Sequence, residues 1–369
     1  MQSKILDSHK KKVRGLISKG LLREDDLQSD LLDMQTLIEL EESLSVLTRY
    51  PGLYLPVNLI TSSSVRIFNR GFDAGRTQDG KVLVERHLGM GDVLLSLIIA
   101  HGLWMKYGFK IYFATSKMFF PLVERNYFIE QVMTGEEAES FPFDLKICLQ
   151  GEVDFLPFCE KNHRLDLMAV IAGLERRYLA TGYHLPVHKH EKKLGRHLLD
   201  IGGVGEQDLV IGINVESFAE LRTWPIDRSV ELAKELGKKA NVKVVIIENQ
   251  GSREKFKSIK NVIVPDDTSL DALIGIVSHC DLIICPDSGV LHLAGLLHRP
   301  TVALFGSIIP DFRIRYYKRT KALFHSELPC VPCWDLQTYN CVKGDYKACL
   351  KAITVQEVLS CVDQMIKER

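Results

Sequence analysis

Short apolar runs alternate with longer segments of helical periodicity from Lys81 onward. The apolar runs predict strands over residues 82–84, 110–114, 143–149, 209–214, 242–247, 261–264, 282–285 and 301–305. The segments between them predict helices, notably over residues 93–107, 227–239, 269–280 and 290–297. Strands that alternate with helices form parallel sheets covered on both faces. The pattern therefore predicts an α/β protein with two doubly wound, Rossmann-like domains in tandem.

Two changes in this pattern suggest domain boundaries. Residues 1–50 are polar and helical in pattern, with an acidic, leucine-rich stretch over residues 21–47 that forms a packing or docking face. A segment with Pro186 and several His and Lys residues, from Leu185 to Lys193, suggests a joint. We therefore predict a helical N-terminal extension (1–78), an N-terminal Rossmann-like domain (79–192) and a C-terminal Rossmann-like domain (193–369).

Composition narrows the class of protein. The chain has 369 residues with 47 basic and 47 acidic side chains, so no overall charge attracts it to nucleic acid or membrane. The first residues have no apolar core typical of a secretory signal, and the longest apolar stretches are about half a membrane span. Nine cysteines without such a signal do not suggest a disulfide framework. We expect a cytoplasmic protein without a transmembrane segment.

The turn Pro286-Asp287-Ser288-Gly289 lies between a predicted strand and a predicted helix. Backbone amides at a helix N-terminus favour phosphate, because their partners are missing and the helix dipole is positive there. Ser288 is a candidate N-cap, and Gly289 permits close approach of a ligand. The alternative is an ordinary turn of a parallel sheet.

Asp92 follows the glycine-rich turn Gly89-Met90-Gly91 at the start of another predicted helix. A carboxylate there is ionised at neutral pH and can accept a proton from an attacking hydroxyl. Simple N-capping by Asp92 is the alternative.

Three further charged residues are candidates for nucleotide binding. Arg222 follows the first strand of the second sheet, where its guanidinium can clamp a diphosphate or stay solvated. Glu248 and Glu254 follow the next strand and are placed to meet a ribose.

Together these motifs resemble the heptosyltransferase family, glycosyltransferase family 9. The resemblance rests on Gly-Met-Gly-Asp92, Arg222-x-Trp224-Pro225, Asp287-Ser288-Gly289-x-x-His292 and the tail Cys330-x-Pro-Cys333 with Cys341 and Cys349. It implies a GT-B fold and an inverting transfer, most often of heptose from ADP-heptose to the lipopolysaccharide core. It also implies that Asp92 is the general base and that no cofactor is required.

The same resemblance implies a donor site, with Arg222 where the family has lysine. Its residues would be Gly91, Arg222, Trp224, Glu254, Asp287, Ser288, Gly289 and His292. Arginine keeps the charge but differs from lysine in reach and geometry.

The tail cysteines allow a metal interpretation. Cys330, Cys333, Cys341 and Cys349 are candidates for a four-thiolate zinc or iron site, and some protein heptosyltransferases bind iron at similar clusters. Reduced cysteines packing a loop are the alternative. His184, His188 and His190 also suggest a metal, but solvated histidines fit their setting better.

Other partners remain open at this point. The basic, aromatic segment from Asp311 to Lys321 suits a phosphorylated acceptor, a nucleic acid or a plain solvated face. The acceptor is lipopolysaccharide core or, alternatively, a protein or another polymer, and the chain is a candidate homo-oligomer. A third hypothesis is an inactive module that binds nucleotide sugars.

Overall fold

The computed structural model describes residues 80–150, 163–179, 182–248, 251–333, 341 and 346–368. The predicted helical extension over residues 1–78 lies outside the described residues. Contacts divide the chain into a first unit (Met1–Leu88 and Leu95–Gly182) and a second unit (Gly89–Leu94 and Tyr183–Arg369). The division at Gly182 differs from the boundary expected at 192.

The first unit is built on a parallel sheet of four strands in the order β3-β2-β1-β4. Strand β1 is central and pairs with both β2 and β4. The unit's elements are β1 (Lys81–Glu85), α1 (Met90–Tyr107, whose first residues belong to the second unit), β2 (Lys110–Ala114), α2 (Phe120–Val123), β3 (Ile129–Met133), α3 (Gly135–Ser140), β4 (Leu145–Cys148) and α4 (Arg164–Ile171).

The second unit holds a parallel sheet of six strands in the order β10-β9-β8-β5-β6-β7. Its elements are α5 (Lys189–Ile201), β5 (Leu209–Asn214), α6 (Ile226–Gly237), β6 (Val242–Ile247), β7 (Val262–Ile263), α7 (Leu270–His279), β8 (Leu282–Pro286), α8 (Gly289–Leu296), β9 (Thr301–Leu304), α9 (Asp311–Ile314), β10 (Thr320–Leu323), α10 (Ala348–Ala352) and α11 (Val355–Lys367).

The strand order of the second sheet places a ligand site. The order reverses between β5 and β8, the central pair. Open α/β sheets bind ligands beyond the carboxyl ends of the strands at such a switch point. Residues that follow Asn214 and Pro286 therefore lie at the expected site.

Helices α6 and α11 pack on one face of the second sheet, around alternate strand residues such as Ile211, Ile213 and Val244. Helix α8 contacts β8 and β9 and also packs against α7. On the α7 side, Gly212 faces the thiol of Cys280. Side chains of opposite parity along β5 thus face different helices, as a doubly wound sheet requires.

The predicted α/β class with two parallel sheets is confirmed. Strands predicted over 110–114, 209–214 and 242–247 have these bounds in the structure. Strand β3 was not predicted, because its sequence Ile-Glu-Gln-Val-Met is half exposed and lacks an apolar run. Strand β10 was not predicted either, because it begins at the end of the basic segment and all four of its residues are partly exposed.

The joint predicted from Leu185 to Lys193 is wrong in its second half. Helix α5 begins at Lys189 and packs along α7, where Gly195 and Gly275 bring the two backbones together. The His and Lys residues that suggested a linker form the polar face of this amphipathic helix. None of the helices in the described ranges is both long and apolar enough to span a bilayer.

Candidate functional site

A buried carboxylate lies at the switch point of the second sheet. Asp287 directly follows β8 and is only 4% exposed. Its Oδ2 lies 3.2 Å from Arg222 Nη1 and 3.7 Å from Arg313 Nε. Burial alone would raise the pKa of Asp287, but Arg222 and then Arg313 hold it below the usual aspartate value. The site therefore carries a fixed negative charge between two guanidinium groups.

Hydrogen bonds fix the loops around Asp287. Ser288 Oγ donates to Asn214 Oδ1 at 2.8 Å, and Ser217 Oγ donates to the Asp287 carbonyl at 2.7 Å. The predicted capping by Ser288 is therefore wrong, because its hydroxyl ties β8 to the end of β5 and makes no cap hydrogen bond. This leaves the first turn of α8 without a side-chain cap from Ser288.

His292 lies on α8 and is 6% exposed. Its Nδ1 is 2.8 Å from the Tyr317 hydroxyl. A Cβ built on Gly91 would lie 2.5 Å from His292 Cδ2, so only glycine allows the segment Gly89–Leu94 to pack this closely against the ring. Gly289 is constrained in the same way, because its Cβ would lie 2.5 Å from Met90 Cε.

Asp92 lies in the first turn of α1, one residue after Gly91. It is partly exposed, and its Oδ2 lies 2.8 Å from the position of a Cβ on Gly89. Gly89 has φ of +80°, a conformation that glycine adopts without strain. Asp92 thus shares a short segment with Gly91, which contacts the histidine of the Asp287 site.

Two predicted donor residues lie elsewhere. Trp224 is 2% exposed within the core, and its indole Nε1 donates to the Ile353 carbonyl at 3.2 Å. Contact with a donor does not fit this burial. Glu254 lies in a one-turn 3-10 helix (Arg253–Lys255), where its carboxylate is exposed and pairs with Lys257.

Glu248, rather than Glu254, occupies the position expected for a residue that binds the ribose. It directly follows β6, is 5% exposed and lines a pocket with Arg253, Pro265 and Thr268. Its Oε1 accepts the backbone N–H groups of Gly251 and Ser252, whereas its buried Oε2 has no hydrogen-bond partner among the described residues. A buried, unpartnered carboxylate oxygen is costly unless a ligand pairs with it.

The sequence analysis did not place Arg313 or Tyr317 at the donor site. Both lie in the segment Asp311 to Lys321, whose charges suggested a solvated or ligand-facing surface. They are 6% and 8% exposed and point to Asp287 and His292. The position of this segment after β9, beside the switch point, is the sequence signal that would have found them.

The four tail cysteines, predicted as metal ligands, are not gathered into one cluster among the described residues. Cys330, Cys333 and Cys341 are half-buried and Cys349 is buried. No three of these thiols, all within the described residues, lie within 4.8 Å of one another. Burial and the neighbouring Cys330 and Cys341 raise the pKa of Cys349. The described thiols thus show no preformed cluster, and a zinc or iron site on these four cysteines stays a prediction.

A different group gathers potential metal ligands in the described part of the chain. His190 Nε2 lies 3.3 Å from Asp271 Oδ2, with Glu191 close by. These residues occupy the first turns of α5 and α7, whose positive dipole ends oppose a cation. Glu191 also accepts the His188 backbone N–H at 2.7 Å. The group is better explained as capping.

Comparisons with known proteins match the part of the chain that contains this site. A sequence model described as "Glycosyltransferase family 9 (heptosyltransferase)" matches residues 162–343, which contain Arg222, Asp287 and His292. Lipopolysaccharide heptosyltransferase 2 of Escherichia coli (strain K12) is 30% identical over 105 residues, which cover 26% of this chain and 30% of the relative. The chain thus spans about a third of the length of this curated relative.

Solved structures share the fold over a larger part of the chain. A family 9 glycosyltransferase from Veillonella parvula has a TM-score of 0.62 at 17% identity, over 79% of this chain and 99% of that one. TibC, an iron-containing dodecameric glycosyltransferase from enterotoxigenic E. coli, has a TM-score of 0.59 at 16% identity, over 79% and 77%. On these matches, residues 162–343 of the chain are similar to glycosyltransferase family 9, the heptosyltransferase family.

Proposed function

We propose that this protein is an inverting glycosyltransferase that moves heptose from ADP-heptose to a hydroxyl of the lipopolysaccharide core. The observation that carries the proposal is the buried Asp287 between Arg222 and Arg313 at the switch point of the second sheet. This arrangement supplies oriented guanidinium groups beside the N-terminal turn of helix α8. Both favour a diphosphate.

The donor would bind along the carboxyl edge of β5, β6 and β8. Arg222 and the first amides of α8 would hold the diphosphate, with His292 donating one further hydrogen bond. Glu248, in place of Glu254, would accept from the ribose hydroxyls, because its Oε2 is buried and lacks a partner among the described residues. Trp224 would position the Arg222 segment from the core without touching the donor.

In the transfer step, the acceptor oxygen attacks the anomeric carbon of the sugar. The bond between that carbon and the phosphate oxygen breaks, and ADP leaves with the electron pair. The acceptor proton passes to Asp92. Arg222 offsets the charge that develops on the leaving diphosphate, the kind of preorganised electrostatic contribution that often dominates catalysis. No step in this scheme uses a metal.

The acceptor and the setting of the reaction are part of the proposal. The lipopolysaccharide core is favoured by the printed name of the E. coli relative. We propose that the protein is located in the cytoplasm, where ADP-heptose would be available as the donor. TibC is dodecameric, which supports a homo-oligomer as a working hypothesis for this chain.

Substitution of Asp92 tests the proposal. Asp92→Asn removes the proton acceptor but keeps the shape, so we expect turnover to fall by about 10²- to 10⁴-fold with ADP-heptose and core oligosaccharide. Donor binding, measured by calorimetry, should change less than threefold or so. Asp227→Asn is the control, because Asp227 is also in a helix first turn but is exposed.

Three outcomes would change the assignment. Equal turnover in Asp92→Asn and wild type would reject Asp92 as the base. Transfer only onto protein would replace the acceptor class. Donor binding without transfer to any acceptor would indicate a binding module.

A further inference from the structure

We propose that Tyr317 is a positioning residue that donates its hydroxyl proton to His292 Nδ1 and so keeps the proton of the neutral ring on Nε2. The consequence for the donor rests on the proposed function: the Nε2–H group is then the one directed toward a diphosphate oxygen. A neutral histidine has one nitrogen that carries a proton and donates, and one that accepts. A hydrogen bond received at one nitrogen therefore places the proton on the other nitrogen.

The contact between the two side chains is direct and buried. Tyr317 Oη lies 2.8 Å from His292 Nδ1, and the rings meet edge to face with centroids 5.8 Å apart. Tyr317 is 8% exposed and His292 is 6% exposed, so water competes little for this hydrogen bond. Gly295 makes room for the tyrosine, because a Cβ there would lie 2.6 Å from the Tyr317 ring.

Tyr317 is suited to the role of a permanent donor. Burial raises the pKa of its phenol well above the ordinary tyrosine value, so the hydroxyl keeps its proton at any working pH. A phenol can donate to a neutral imidazole nitrogen. The opposite edge of the ring faces Gly91, with the built Gly91 Cβ 3.3 Å from His292 Nε2. Tyr317 and the Gly89–Leu94 segment therefore confine the ring from both sides.

Two other charged residues of the segment Asp311 to Lys321 pair with carboxylates outside the site. Arg315 pairs with Asp311 at 2.9 Å, and Lys321 pairs with Glu368 at 2.7 Å. Arg313 and Tyr317 are the buried residues of this segment. Arg313 contacts Asp287 and Tyr317 contacts His292, and the sequence places Asp287 and His292 in one motif. The segment after β9 thus contacts the site through these two buried side chains.

The tautomer of His292 can be measured directly by NMR on protein labelled with ¹⁵N-histidine and free of ligand, at about pH 8, where histidine is mostly neutral. We expect wild type to show the Nε2–H tautomer for His292. Tyr317→Phe should show a mixture of tautomers or a shift to Nδ1–H. Tyr127→Phe is the matched control, because it removes another Tyr–His hydrogen bond (Tyr127 Oη to His101 Nε2, 3.3 Å) in the first unit.

ADP binding by calorimetry gives the second readout. We expect Tyr317→Phe to weaken ADP binding by roughly 3- to 15-fold, which is the change in affinity that the loss of one hydrogen bond causes. We expect Tyr127→Phe to leave ADP binding unchanged. A wild-type His292 in the Nδ1–H form, or an identical tautomer in Tyr317→Phe, would overturn the proposal. Failure of wild type to bind ADP would instead reject the proposed function and leave the tautomer result intact.

Discussion

Asp287 keeps its charge although it is almost completely buried, because the guanidinium groups of Arg222 and Arg313 both lie close to the same oxygen of its carboxylate. Removing one member of such a buried group leaves an uncompensated charge, which costs about 3–5 kcal/mol. We expect Asp287→Asn to lower the free energy of unfolding by about this amount in urea titrations. Asp311→Asn, which breaks the exposed pair with Arg315, should cost at most about 1 kcal/mol. Equal effects of the two substitutions would contradict the description of the Asp287 group.

The pH dependence of stability provides a second test of Asp287. Its pKa is lower in the folded protein than in the unfolded chain, so its stabilisation is present above the unfolded value of about 4. It is lost as pH falls through the folded pKa. The difference in unfolding free energy between wild type and Asp287→Asn should therefore be constant from pH 7 to about 5 and shrink below about 4. A difference that persists unchanged at the lowest pH would contradict the lowered pKa.

The site residues that lie together on one loop were predictable from the sequence. Asp287, Ser288, Gly289 and His292 follow a recognisable strand and begin a helix, so local sequence places them together. Arg222 reaches the same point from the end of β5. Arg313, Tyr317 and the burial of Trp224 depend on contacts between segments far apart in the chain, which no local pattern encodes.

At the scale of elements, the crossing of α5 and α7 fixes how the second unit begins. A Cβ on Gly195 would overlap the backbone of Gly275, so the two helices pack with their backbones in contact. Gly195→Ala should gain helix propensity yet destabilise the protein by about 1–3 kcal/mol, because the helices must separate. Thermal unfolding measures this. Gly205→Ala is the control, since its nearest atom is a side-chain oxygen 3.4 Å away; equal melting temperatures for both variants would contradict the packing.

Element prediction succeeded for the central strands and failed at the edges and at α5. Central strands β5, β6 and β8 are almost completely buried and appear as continuous apolar runs. Strands β3 and β10 lie at sheet edges and carry polar residues. The sequence of the start of helix α5, Lys189 to Lys193, favours a linker because its charged residues hide a narrow apolar face.

At the scale of the molecule, the family match over residues 162–343 and the switch point of the parallel sheet favour the proposed nucleoside diphosphate site on the second unit. The first unit's sheet is parallel as well. The segment Gly89–Leu94, which contains the proposed base Asp92, groups with the second unit and packs against His292. The proposed acid–base chemistry and the donor site therefore share one unit.

The measurement that tests this account most directly is calorimetric titration of ADP into wild type and Arg222→Ala, with Arg315→Ala as the control arginine. Wild type should bind ADP with one site per chain. Loss of a charge-assisted contact costs about 1.5–3 kcal/mol, so Arg222→Ala should bind roughly 10- to 150-fold more weakly, with Arg315→Ala unchanged. Absence of ADP binding in wild type, or the same affinity in wild type and Arg222→Ala, would contradict a donor site at Asp287.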